Sequence, residues 1–515
     1  MLLAGLFAIA YLILRPASAD LAAQTFRSDL FASHGFLLWN NNWYSGHYLP
    51  GYSVLFPPLG AALGPRLVGA LAVVTAAGLF GLLARYRHGD RSLLAILWFG
   101  AGTATELLSG RITFALGLAI GLGALLALQR GRALLAGALA LLTGFASPVA
   151  GLFAALAGVA VFLAGNRRGG AAVAVGAAAS IAALSLAFPA GGDEPFTFTA
   201  FIPVPLFALV ALLLVPPEER ALRWGVAVYA LVSIVAFVVA NPVGGNLARL
   251  GALAAGPVLA LGLAGRRPVA LAVLALPLLY WQWVAPVRDL SEATGDPSVH
   301  SSYYQPLLAQ LELRTGGRPV RVEIPPTRNR WEAAYVAPRF PLARGWLRQL
   351  EYGDIDLFTN GNLTAAAYRS WLDQRGVSYV AVADAEPDYL SIDEEALIRG
   401  GLPYLRPVWS DQHWRLYRVK RSPGLVSRAG DFPGPGGRRD RLTALGPASF
   451  TLSTRDSGPF LVRIHYTRYW TVTAGNACVE RDGEWTGVTV RNPGTVTVVA
   501  RFSLEGLLGN RQCSA

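Results

Sequence analysis

The stretch from about Pro16 to Pro58 concentrates the side chains of this sequence that can do chemistry: DLAAQTFRSDLFASH, then GFLLWNNNWYSGHYLPGYSVLF. At helical spacing, Asp20, Gln24, Arg27 and His34 fall on one stripe, with offsets of four, three and seven residues, and Asp29 lands on the opposite face. If the segment is one helix lying at a membrane interface, only one of the two aspartates faces a cavity. Asp20 is then the functional candidate, since it stands where the first apolar run ends. Downstream, Trp39, Asn40, Asn41, Asn42, Trp43, Tyr44 and His47 crowd indole, amide, phenol and imidazole groups together. Flat aromatic faces suit sugar C–H surfaces and amides suit hydroxyls. The same rings also collect at any membrane interface without binding anything, and a polar helix there can simply lie on headgroups. Both readings stay open.

Two further features lie in apolar surroundings. Glu106 sits in the third apolar run and Arg111 follows at its end, in TELLSGRITF. Ionisable groups at membrane depth are costly and by default mark function; the alternative is a Glu106–Arg111 ion pair that staples two helices. Arg249, in NPVGGNLARL beside Asn241 and Asn246, either holds a lipid phosphate or snorkels to the interface.

What must position these groups is a membrane bundle. Of 515 residues 53% are hydrophobic and 15% charged, with a mean hydropathy of +0.41, against roughly 25% charged in soluble proteins. The deficit is confined to residues 1–287, which read as a transmembrane domain with one long first external loop (16–58). About eleven spans are expected at ~20 apolar residues each, centred near residues 9, 74, 99, 120, 140, 157, 179, 207, 232, 255 and 277. The first has no basic leader and no small-residue cleavage site, and so reads as a retained helix. Arg85, Arg87, Arg91, Arg130, Arg132, Arg167, Arg168, Arg220, Arg223, Arg266 and Arg267 mark one set of turns. Basic loops stay inside, which places the N-terminus in the cytoplasm and everything beyond residue 287 outside. The net charge of +12 is spread through such loops and forms no nucleic-acid patch.

Residues 288–420 read as an α/β domain, with strands at RPVRVEI, VSYVAVA and WRLYRV and a helix at LTAAAYRSWLD. After a Gly/Pro/Arg linker, residues 421–515 read as a small β-rich sandwich or barrel built from SFTLST, FLVRIHY, YWTVTAG, GVTVRN and TVTVVARF. Neither domain shows a phosphate loop, a metal-ligand Cys/His spacing or a nucleophile elbow. The two cysteines, Cys478 and Cys513, both lie in this outer part and are expected to form one disulfide.

The membrane half, the acidic residue just after helix one and the outer C-terminal domain together resemble the GT-C superfamily of membrane glycosyltransferases. More narrowly, DLAAQTFRSDLF with WYSGHYLPGYSVLFPPL, SGRITFALGL, and later ARGWLRQLEYGDIDLF with YRSWLDQRGVSYVAV are similar to bacterial integral membrane proteins labelled 6-pyruvoyl-tetrahydropterin-synthase-related. No His-rich zinc constellation is present, so that label implies no pterin chemistry. The resemblance implies a hexosyl- or pentosyltransferase of the bacterial plasma membrane. It would pass a sugar from a polyprenyl-phosphate donor to a glycan or lipid acceptor of the cell envelope, on the extracytoplasmic side. It makes Asp20 the base, with Asp29 in reserve; the residues read above, Gln24, Arg27, Trp43, Tyr44, His47, Glu106, Arg111 and Arg249, are then the expected substrate contacts. Relatives often carry paired acidic residues in this loop and some use a divalent metal, Mg or Mn. Here Asp20 and Asp29 are nine apart, and Arg111 or Arg249 can neutralise the leaving phosphate without metal. Two other classes remain: a non-catalytic envelope scaffold of the same fold, and a transporter or flippase, for which matching repeat halves would be expected and are not visible.

Overall fold

A computed structural model describes residues 1–189, 191–351, 354–359, 361–428 and 440–508. The chain divides into two compact units: Met1–Ser33 with Pro50–Thr294, and His34–Leu49 with Gly295 onward.

The first unit is helical. Each of the eleven expected span centres falls within a helix. Among the described residues, six helices are long and apolar enough to cross a membrane, or seven if Leu2–Leu14 and Ala19–His34, bent by 76°, count as one span. The run Pro65–Leu108 counts once although it covers two expected spans. Ala133–Ala146, Pro148–Leu163 and Phe198–Leu214 are apolar but shorter. The expected count of about eleven crossings is therefore not reached by this measure. Large apolar side chains such as Leu134, Leu213, Val235 and Leu276 are exposed on this unit, a surface suited to lipid and not to water. Its Ala/Gly runs are packing devices. A Cβ on Gly158 would lie 2.5 Å from Ala174 N, and one on Gly176 would lie 2.3 Å from Gly137 O. Helices here approach almost backbone to backbone, as small residues allow in membranes.

Among its described residues the second unit has three four-stranded sheets and a two-stranded ribbon, Trp39–Asn40 with His47–Tyr48. A four-stranded mixed sheet runs Arg321–Glu323, Val377–Ala383, Trp414–Val419, Leu405–Ser410, with the first pair parallel and the rest antiparallel. Helix Ala365–Gln374 packs Tyr368, Trp371 and Leu372 into its core. Two antiparallel four-stranded sheets then form a sandwich. One runs Ala477–Asp482, Trp485–Val490, Gly458–His465, Val426–Arg428; the other runs Trp470–Ala474, Gly494–Ala500, Ser449–Thr454, Arg441–Gly446. Phe450, Leu452, Val496 and Val498 from one sheet and Phe460, Val462, Val488 and Val490 from the other fill the core, as alternation along each strand requires. The expected Cys478–Cys513 bridge lies outside the described residues, because Cys513 does.

The unit holds many buried charges. Arg344 is shared between Glu323 and Glu394, and Tyr368 donates to Glu394 at 2.7 Å. Glu332, 3% exposed, accepts hydrogen bonds from the Thr327 amide at 3.2 Å and hydroxyl at 2.7 Å. Burial nevertheless pushes its carboxyl up to about 7. An unfolded glutamate titrates near ~4.3, so between those values the folded state alone holds the proton, and stability falls as pH rises. Glu332→Gln keeps both contacts, its amide oxygen accepting from the Thr327 amide and its NH2 donating to the turned Thr327 hydroxyl. The variant is therefore expected to gain roughly 2–4 kcal/mol relative to wild type on going from pH 5 to pH 8. Denaturant midpoints at the two pH values check this; an unchanged difference would show that Glu332 stays ionised in the fold.

Candidate functional site

The first helix ends at Arg15 in the left-handed region, φ 48°, and the Arg66 guanidinium donates to Pro16 O at 2.7 Å. The chain turns sharply there and enters helix Ala19–His34. That helix is no headgroup-lying segment, as one expectation had it. Leu21, Ala22, Ala23, Gln24, Phe26, Arg27, Ser28 and Leu30 are all buried, so most of its circumference is packed in protein.

Its first turn meets the turn after Glu106. Gly110 has φ +74°, and a Cβ there would lie 2.4 Å from Ser18 Oγ and 2.5 Å from Leu21 N. Only glycine permits this approach, for conformation and space alike. The consequence is an ion pair from Arg111 Nε to Asp20 Oδ2 at 3.7 Å. The pairing expected between Glu106 and Arg111 is replaced: the Arg111 amide bonds the Glu106 carbonyl at 2.9 Å, and the guanidinium turns to Asp20. Glu106, 3% exposed, keeps a carboxylate oxygen, Oε2, with no hydrogen-bond partner among the described residues.

Arg249 joins from the start of helix Ala248–Leu263. Asn241 Oδ1 accepts from the Val243 amide at 3.0 Å and the Gly244 amide at 2.8 Å. Gly244 passes so near the Glu194 carbonyl that a Cβ would collide with it, at 1.7 Å. This explains the sequence NPVGG, which folds the chain into the helix start that carries Arg249. Arg249 has Arg111, Asp20, Tyr52 and Glu106 as its charged or phenolic neighbours, so it belongs with this group of side chains.

Two members were not expected from the sequence. Tyr52 accepts a hydrogen bond from Gln24 Nε2 at 3.1 Å and lies under the Arg27 guanidinium, 3.7 Å from its ring centre. Asp289 lies on helix Pro268–Ala293, on the same stripe as buried Gln282, Pro286 and Ala293. Arg111 and Asp20 are its charged neighbours, with Arg288. An ionisable residue late in an apolar helix is itself a signal, and Asp289 could have been found that way. Three guanidiniums (Arg27, Arg111, Arg249) and three carboxylates (Asp20, Glu106, Asp289) are thus electrostatic neighbours within the first unit. Asp29 is exposed and has none of these groups as an electrostatic neighbour; the structure separates it from the cluster.

Trp43, Tyr44 and His47 are placed elsewhere. They belong to the second unit, through the segment His34–Leu49, and are 0%, 4% and 6% exposed. Trp43 Nε1 donates to Ala333 O at 3.0 Å, its face stacks on His47, and Gly345 packs against its other side, where a Cβ would lie 2.5 Å from the ring. Tyr44 donates to Glu351 at 2.9 Å, and Glu351 is also held by Arg330 at 2.6 Å. Burial, and then the Glu351 charge, push the Tyr44 phenol well above its ordinary range, so it remains a donor. Protein covers these rings within that unit.

Among the described residues no three His, Cys, Asp or Glu side chains converge as a metal-ligand set. What the arrangement offers is a carboxylate set beside fixed positive charge.

No family model matches this chain, and no curated protein sequence matches it. Among solved structures it is similar to the crystal structure of ArnT from Cupriavidus metallidurans bound to undecaprenyl phosphate. The identity is 12% and the TM-score 0.37, over 80% of this chain and 97% of that one.

Proposed function

We propose that the protein is an integral membrane glycosyltransferase that moves a sugar from a polyprenyl-phosphate donor to a glycan or lipid acceptor of the cell envelope. The observation that carries this reading is the Asp20–Arg111 pair at 3.7 Å, with Glu106 and Arg249 gathered around it in an apolar bundle. An aspartate beside two fixed guanidiniums is the minimum apparatus for displacing a phosphate ester. The alternating basic turns support an extracytoplasmic setting.

In the reaction, Asp20 accepts the proton of the acceptor hydroxyl, whose oxygen attacks the anomeric carbon. The bond from that carbon to the phosphate oxygen breaks, and polyprenyl phosphate leaves with the electron pair and one more negative charge. Negative charge therefore moves from Asp20 to the phosphate while Arg111, between the two, stays balanced. Arg249 holds the phosphate from the other side. Gln24 and Arg27, fixed on Tyr52, line the approach. No step is assigned to Mg or Mn.

The test is native mass spectrometry of lipids that co-purify with wild type and with Asp20→Asn. A polyprenyl-phosphate sugar, enriched in the variant because turnover is blocked, is the expected result. Bulk phospholipid alone in both would overturn the reading in favour of a scaffold. Arg249→Ala is expected to weaken donor retention by roughly tenfold or more, the worth of one charge-assisted hydrogen bond. A merely snorkelling side chain would leave retention unchanged.

A further inference from the structure

A second basic cluster lies inside the other unit and has no part in the reading above. Arg321 opens the first strand of the mixed sheet and is 0% exposed. Its Nη1 donates to the Arg375 carbonyl, while Nε and Nη2 have no hydrogen-bond partner among the described residues. Arg375 follows helix Ala365–Gln374. Its Nη2 is held by Asp354 at 2.5 Å, and its Nε is likewise without a partner among the described residues. Arg463, on strand Gly458–His465 of the sandwich, is also 0% exposed and donates to Gly424 O at 3.2 Å and Ser427 Oγ at 3.1 Å.

Gly376 makes this convergence possible. It has φ +64°, and a Cβ there would lie 2.3 Å from Gly424 O and 2.9 Å from Arg463 Cδ. Any other residue would push the sandwich strand away from the sheet.

The acidic neighbours are unevenly placed. Arg375 has Asp354 and Glu484, and Arg463 has Asp373 as compensating neighbours. Among the described residues Arg321 has only the other two arginines as charged neighbours, and burial together with these like charges pushes it down to about 9. A water molecule can satisfy open N–H groups but supplies no charge. A buried guanidinium without a counter-ion is among the costliest arrangements a fold can hold. An oxyanion answers both needs at once, because planar guanidinium forks match two oxygens each.

We propose that Arg321, Arg375 and Arg463 form a binding site for a small tetrahedral oxyanion, orthophosphate or sulfate, at the seam between the mixed sheet and the sandwich. The Arg375 side chain, 13% exposed, gives the site its opening to solvent. The bound ion completes the charge balance and ties the two sheets together.

The experiment is equilibrium dialysis of radiolabelled orthophosphate against the purified full-length protein in a chloride-free buffer. Saturable binding is expected in wild type and in Arg249→Ala, which disables the phosphate contact of the membrane cluster. Arg321→Met is expected to weaken it by roughly tenfold to a hundredfold, the value of one or two charge-assisted contacts. Should that variant fail to accumulate, Arg463→Met carries the same expectation. Displacement by sulfate but not by dihexanoyl phosphatidate identifies a free ion, and displacement by both identifies a headgroup phosphate; either supports the site. No saturable binding by wild type, or equal binding by Arg321→Met, overturns it. Binding lost in Arg249→Ala and kept in Arg321→Met would belong to the membrane cluster and overturns it as well.

Discussion

Asp20→Asn is expected to cut sugar transfer by about 10²–10⁴-fold, the usual contribution of a positioned proton acceptor, while expression stays near wild type and the unspent donor lipid accumulates on the protein. The amide keeps the volume of the side chain and can still contact Arg111, so the helix junction at Gly110 is preserved; only the capacity to take a proton is lost. Asp29→Asn is the internal control. Asp29 is exposed on the other side of the same helix, so its transfer rate is expected to match wild type. A purified-protein transfer assay with both variants decides the matter. Loss on Asp29→Asn with none on Asp20→Asn would reverse the assignment of the two carboxylates.

Trp43→Ala is expected to destabilise the second unit by about 3–5 kcal/mol, the range for removing a large buried aromatic. Trp43 is 0% exposed and bonded to the Ala333 carbonyl, so truncation leaves a cavity and an unpaired acceptor together. Hydrogen exchange around Ala333 and Gly345 should accelerate, and donor retention should not change. If Trp43 were instead a sugar platform, the variant would lose glycan affinity and keep its exchange protection, which would overturn the packing assignment.

The two predictions separate what a linear reading ran together. Residues 16–58 look like one long loop, and their chemistry was expected in one place. The chain instead leaves Asp20, Gln24, Arg27 and Tyr52 in the helical unit and sends His34–Leu49 into the other. Trp39 joins the sandwich core there, and Trp43 and Tyr44 are fixed to Ala333 and Glu351. An aromatic cluster is read equally well as a ligand platform or as core, because both bury the same apolar area. The distinction lies in which partner covers the rings.

Sheet elements were legible where alternation is strong. SFTLST, FLVRIHY and TVTVVARF all fall on sandwich strands. Strand Ala477–Asp482 was not visible, since its second half, Glu480–Asp482, is charged and exposed, the usual character of a protected edge. Leu405–Ser410 was hidden by Pro407, tolerated because that strand pairs on one side only.

The sequence by itself determined that a helical apolar half precedes an α/β and then a β-rich region, and that Asp20, Gln24 and Arg27 share a helix face. These properties depend on residues near one another in the chain, where composition and period settle how each segment meets lipid, water and core. Tertiary structure alone decided that Arg111 pairs with Asp20 and not with Glu106, that Asp289 and Tyr52 complete the cluster, and that Trp43 is core. Such pairings need elements far apart in sequence to approach within a few ångströms. Whether they can depends on single positions such as Gly110, where a missing Cβ admits a neighbour from the distant helix. Local periodicity carries no record of that contact.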